Sequence, residues 1–80
     1  MTINKTNAVA AHIRDNYHYE DTDPLDVVET VYFKRPSDIP SDFDYDGFTP
    51  QPGMWWLYDD QVSEFVVVRD GKVKSLYCSA

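Results

Sequence analysis

Cysteine, glycine and positive charge are all scarce in this chain of 80 residues. Cys78 is its sole cysteine, which excludes an internal disulfide and leaves too few thiols for a structural zinc site. The thiol is expected to pack at a strand terminus, since no His or acid is placed by sequence to activate it. Long apolar runs are missing too. Residues 54–58 and 65–68 fall far short of the roughly 20 residues that cross a bilayer. The opening Met1-Thr2-Ile3-Asn4-Lys5 carries neither the apolar stretch nor the cleavage site of a secretory leader. A cytoplasmic protein with no membrane partner is expected.

Catalytic signatures are equally sparse. No G-x-S-x-G, phosphate-binding loop or G-x-G-x-x-G string occurs. His12 and His18 are six apart, which does not suit an H-E-x-x-H zinc pair. The adjacent acids Glu20-Asp21 and Asp59-Asp60 sit among turn residues, where neighbouring carboxylates are ordinarily just solvated. The chain is expected not to be an enzyme and to need no cofactor.

What is present suffices for one core. The chain is 42% hydrophobic and 15% aromatic, so residues 1–80 read as a single ring-rich domain. Val9, Ile13 and Tyr17 fall at i, i+4 and i+8, and Ala8, Ala10 and Ala11 favour a helix. A helix over about 5–17 is expected, capped by Asn4 or Thr6. The β-branched and aromatic run over 27–34 predicts a strand, although Asp23-Pro24 is also a helix-start signal. Strands are expected over 54–58, 64–69 and 72–78, the last two joined at Asp70-Gly71, a strong signal for a tight hairpin. The fold class is α+β: an N-terminal helix packed on a mostly antiparallel sheet of about four strands.

Residues 36–53 hold four of the five prolines, two of the three glycines and four aspartates, so they form no regular element. Ile39, Phe43, Tyr45 and Phe48 mark this stretch as a long ordered loop held down by its rings. Alternation puts Trp55 and Leu57 on one side of the sheet and Trp56 and Tyr58 on the other. One helix covers one face, so the second face must meet the loop, a second copy of the chain in a homodimer, or a partner.

Charge is unevenly spread. Residues 15–64 contain 13 acids opposed only by Lys34 and Arg35, while the whole chain carries a net charge of −7. Such a block repels nucleic acid and acidic membranes and attracts basic surfaces. Within it, Asp42-Phe43-Asp44-Tyr45-Asp46-Gly47 resembles the opening of an EF-hand calcium loop, with Asp42, Asp44 and Asp46 as candidate ligands. The pattern fails further on: the twelfth position is Gly53 instead of Glu, and Pro50 and Pro52 block an exiting helix. If extended, the same string projects its carboxylates at about 6.6 Å intervals, comparable with neighbouring phosphates on a nucleic-acid strand.

In size, charge and class the whole chain resembles the small acidic inhibitors encoded by phages and other mobile elements: anti-CRISPR proteins, anti-restriction proteins and uracil-DNA-glycosylase inhibitors. The resemblance carries no specific motif and transfers no residues. It implies a stoichiometric inhibitor that binds a basic nucleic-acid-binding protein through a DNA-mimic surface, in the host cytoplasm, without binding nucleic acid itself. The candidate contact residues are Asp38, Asp42, Asp44, Asp46, Asp59 and Asp60, with Tyr45, Trp55 and Trp56 as apolar anchors. The alternatives are a non-inhibitory, homodimeric interaction module whose acidity serves solubility, and a small calcium-binding module.

Overall fold

Val9, Ile13 and Tyr17 become the buried stripe of α1 (Lys5–Asn16) and of the turn that follows it, in a computed structural model that describes residues 5–43 and 47–79. The Tyr17 N–H still donates to the Ile13 carbonyl at 2.9 Å, so the helical stripe runs one residue past the helix proper. Next comes a tight turn in which Tyr19 bridges Thr22 and Asp21 adopts φ 60°. The helix-start signal after it is then used. An Asp23 carboxylate oxygen accepts the Leu25 N–H at 3.0 Å, and Pro24 opens α2 (Pro24–Val27), a single turn. The strand expected from residue 27 therefore begins later, as β1 (Glu29–Tyr32).

The sheet is completed by β2 (Trp55–Tyr58), β3 (Ser63–Arg69) and β4 (Lys72–Ser79). Its order is β1-β2-β3-β4 with every neighbour antiparallel, an α+β arrangement of one helix on a four-stranded meander. Asp70 and Gly71 both have positive φ, 53° and 73°, so their turn twists in the sense that two adjoining strands require. Beyond β1, Phe33 trades backbone hydrogen bonds with Gly53 and Met54, which fastens both ends of the long loop to the sheet.

Each face has its own cover. Against α1 lie Leu57 and Val66, both fully buried, together with Val28 and the flanking Trp55, Val62, Val68 and Val73. On the opposite face Phe33 and Phe65 are sealed under rings from the loop. Phe43 meets Trp56 edge-on at 4.9 Å and Phe65 at 5.8 Å, while Phe48 packs on Phe65 at 5.1 Å and Tyr77 at 5.3 Å. The second apolar face is thus covered within the chain.

Pairing between β3 and β4 slips at one point. Phe65 opposes Tyr77 but Val66 opposes Ser75, which leaves Leu76 as an extra residue on β4. A bulge of this kind breaks the strict alternation of side chains. Val73 can therefore face α1 while Tyr77, four residues on, faces the loop, and Cys78 comes to lie beside Glu64 on the helix side.

Candidate functional site

In β3 the residues Glu64, Val66 and Val68 share the side that meets α1, so the strand carries an acid into an otherwise apolar layer. Glu64 is 6% exposed. Its Oε1 accepts the Tyr17 hydroxyl at 2.8 Å and the His12 Nε2–H at 3.0 Å. The hydrogen-bond pattern fixes the direction of the second contact. Asn16 Nδ2 donates to the His12 carbonyl at 2.8 Å, which identifies it as the nitrogen, and it also reaches His12 Nδ1 at 3.2 Å. A carboxylate can only accept, so His12 Nε2 carries the proton of the contact with Glu64. Among the described residues no Lys or Arg pairs with this carboxylate; its ion-pairing partner is the His12 ring.

Glu64 forms part of the wall of an open cleft of about 410 Å³, which Asn16, Tyr17, His18 and Tyr19 border from one side and Asp59, Gln61, Val62 and Cys78 from the other. Asp59 organises the β2–β3 connection. Its Oδ1 accepts the backbone N–H groups of Gln61 and Val62, both at 2.7 Å, and its Oδ2 accepts the Tyr19 hydroxyl. Burial tends to raise the Asp59 pKa, but the bonds from Tyr19, Gln61 and Val62 outweigh it and hold the carboxyl below its ordinary value. Tyr19 moves the opposite way: burial first, then its bond to Asp59, push the phenol up to about 12. Tyr17 is raised further by burial and by Glu64. The Cys78 thiol is also raised, by partial burial of its sulfur and then by the Glu64 charge.

More carboxylates gather just outside the cleft. Glu29 opposes Tyr58, the residue before Asp59 and Asp60; Glu20 and Asp21 form the turn next to Tyr19; Asp23 and Asp26 belong to the cap and first turn of α2. These seven acids therefore share one end of the sheet. Arg14 reaches this end and pairs with Asp23 at 3.6 Å. Lys34, Arg35, Arg69 and Lys72 lie at the opposite end, where β1 and β3 finish and β4 starts.

Asp38 closes the short turn Pro36–Asp38 that follows β1, whereas Asp59 and Asp60 follow its antiparallel neighbour β2, so Asp38 lies toward the opposite end of the sheet. Asp38 is used locally: it accepts the backbone N–H of Arg35 at 2.9 Å and that of Lys34 at 3.2 Å, and the Arg35 bond leads in holding its carboxyl below the ordinary range. Asp42 and Asp60 are exposed. Asp44, Tyr45 and Asp46 lie outside the described residues, and with them most of the calcium-loop string. Among the described residues no three His, Cys, Asp or Glu side chains converge as a metal site.

Of the two candidate tryptophan anchors, Trp56 stacks on Tyr58 at 4.0 Å beneath Phe43, within the loop-covered face. Trp55 is half-buried on the helix side against the exposed Tyr32, at 4.8 Å between ring centroids. The Trp55 Nε1–H is buried and has no acceptor among the described residues. The cleft residues Tyr17, Tyr19, Glu64 and Cys78, and His12, which bonds Glu64, are not marked as a site by the sequence. The available signal was Glu64 in phase with Val66 and Val68.

The chain matches no protein-family model, no curated protein and no solved structure. Among the described residues no helix is long and apolar enough to cross a membrane. The fold and the cleft define an α+β meander domain with one acidic end.

Proposed function

We propose that this protein is a stoichiometric binder that docks its acidic end on the basic groove of a nucleic-acid-handling protein and thereby blocks it. The observation that carries the reading is the gathering of Glu20, Asp21, Asp23, Asp26, Glu29, Asp59 and Asp60 at one end of the sheet. Like charges held this close repel one another and raise the local negative potential. A surface of Lys and Arg relieves that repulsion and is drawn in at long range, which speeds encounter and makes binding salt-dependent. Asp59 is held by three hydrogen bonds, so part of the acidic surface is fixed before a partner arrives. This mode of action is that of the small acidic phage inhibitors that the chain resembles in size and charge.

The test is capture of partners from the native host by the wild-type chain and by a neutralised variant, at low and high salt. The variant carries Glu20→Gln, Asp21→Asn, Asp26→Asn, Glu29→Gln and Asp60→Asn, all at exposed positions. The expected result is a basic nucleic-acid-binding protein that elutes from the wild type with salt and is not retained by the variant. Retention by both chains, or salt-insensitive capture of an acidic partner, would contradict the proposal.

A further inference from the structure

We infer that the Glu64 cleft receives the guanidinium group of an arginine side chain from the docked partner. The inference rests on the binding reading above and adds the residue that the partner must present.

Two independent features point to it. The first is the state of Glu64. Its side chain is more than nine-tenths buried, Oε1 takes both hydrogen bonds, and Oε2 accepts none among the described residues. Among the described residues no Lys or Arg reaches it, and the His12 ring at 3.0 Å is its ion-pairing partner. A buried carboxylate in this condition is costly, and a hydrophobe would fit its layer between Val66 and Val62 more cheaply. Such local violations of folding economy are characteristic of functional positions.

The second feature is the shape and chemistry of the cleft. Tyr17, His18 and Tyr19 line one side, and Asp59 stands as a second carboxylate. Rings beside carboxylates suit a planar, weakly hydrated cation that stacks and forms hydrogen bonds in its own plane. Guanidinium does both with one planar group; an ammonium donates hydrogen bonds but is more strongly hydrated and has no plane with which to stack. A metal ion would need several converging ligands, and no such group occurs among the described residues.

The source of the guanidinium follows from where the cleft lies. It opens beside the seven acids of the sheet end, so a side chain entering it belongs to a basic surface already held there. An anchor residue inserted in a pocket and ringed by weaker charged contacts is the usual architecture of a binding hot spot.

The test uses the full chain and ethylguanidinium as probe, followed by backbone amide NMR shifts, with n-butylammonium, calcium and free arginine in parallel. Ethylguanidinium is expected to give weak, saturable shifts confined to residues 16–19, 61–64 and 78, with n-butylammonium weaker. Glu64→Gln keeps an acceptor for Tyr17 and His12, so the fold persists while the shifts vanish. The same variant is expected to weaken partner affinity by about 10- to 100-fold. Absence of saturable shifts in the wild type, or equal shifts in Glu64→Gln, would overturn the inference. So would calcium acting at lower concentration, or free arginine binding more than about a hundredfold tighter than ethylguanidinium, which would mark a small-molecule site. Failure of the probe with salt-sensitive capture intact removes this inference alone; capture that ignores the surface acids removes the binding reading and, with it, the docked partner as the source of the guanidinium.

Discussion

The Tyr17 hydroxyl donates to the Glu64 carboxylate at 2.8 Å across the interface between the end of α1 and β3. Both side chains are buried, so this contact fastens helix to sheet and orients the carboxylate at the cleft wall. Tyr17→Phe is expected to lower stability by about 1–3 kcal/mol, because a buried charged acceptor loses one of its two donors. Tyr17→Phe/Glu64→Leu should cost less than the sum of its two single variants, since neither partner is then left unsatisfied. Urea denaturation of the four proteins gives the comparison; strict additivity would show that the two groups are not coupled.

Alkaline pH is expected to weaken the fold through the same tyrosines. Tyr19 stands at about 12 when folded against an ordinary value of 10.0, and Tyr17 is raised in the same direction. A raised group binds more protons when folded, so its contribution is complete below the unfolded value and is lost as pH climbs from about 10 through about 12. Asp59 has the opposite sign: its lowered value gives stability above the unfolded carboxylate pKa that disappears as pH falls through the folded one. Thermal melts across both windows check this. Tyr19→Phe should flatten the alkaline limb, and an unchanged limb would show that Tyr19 has no part in it.

Cys78 is expected to react sluggishly with thiol reagents at neutral pH although its residue is exposed, because burial of the sulfur and the Glu64 charge both disfavour the thiolate. Glu64→Gln removes the charge contribution and leaves that of burial. Its Cys78 should react several-fold faster than the wild-type thiol in a pH-resolved rate measurement. Equal rates would show that the Glu64 field does not reach the sulfur.

Phe43 is the ring of the long loop that touches Phe33, Trp56 and Phe65 together. Phe43→Ala is expected to destabilise by about 2–4 kcal/mol and to expose the aromatic face to a hydrophobic dye. Loss of stability without dye binding would show that the rest of the loop still covers the sheet.

Much of the fold is written in local patterns. The spacing of Val9, Ile13 and Tyr17 gives α1 its buried stripe, Asp70-Gly71 sets the hairpin, and Phe43 and Phe48 hold down the loop as their presence among prolines suggests. Asp23-Pro24 signalled a helix start, but the β-branched run after it dominated, and the short α2 emerged only from the capping geometry. The site was far less legible. Glu64 counted as one more charge of an acidic block, and its role depends on which side of β3 it faces. Cys78 meets it only because the bulge at Leu76 resets the alternation of β4, and no residue type in that strand announces a bulge. Asp38 is an expected contact residue like Asp59 and Asp60, but it follows β1 while they follow β2, and the antiparallel pairing of those strands sets them toward opposite ends.

The most direct measurement of the central claim is a competition. The captured partner is loaded with a fluorescent nucleic acid and titrated with the wild-type chain, while anisotropy reports the bound strand. Displacement that is complete near one chain per partner, and that fails with the five-fold neutralised variant, is the predicted result. A partner that holds the chain and its nucleic acid at the same time would contradict it.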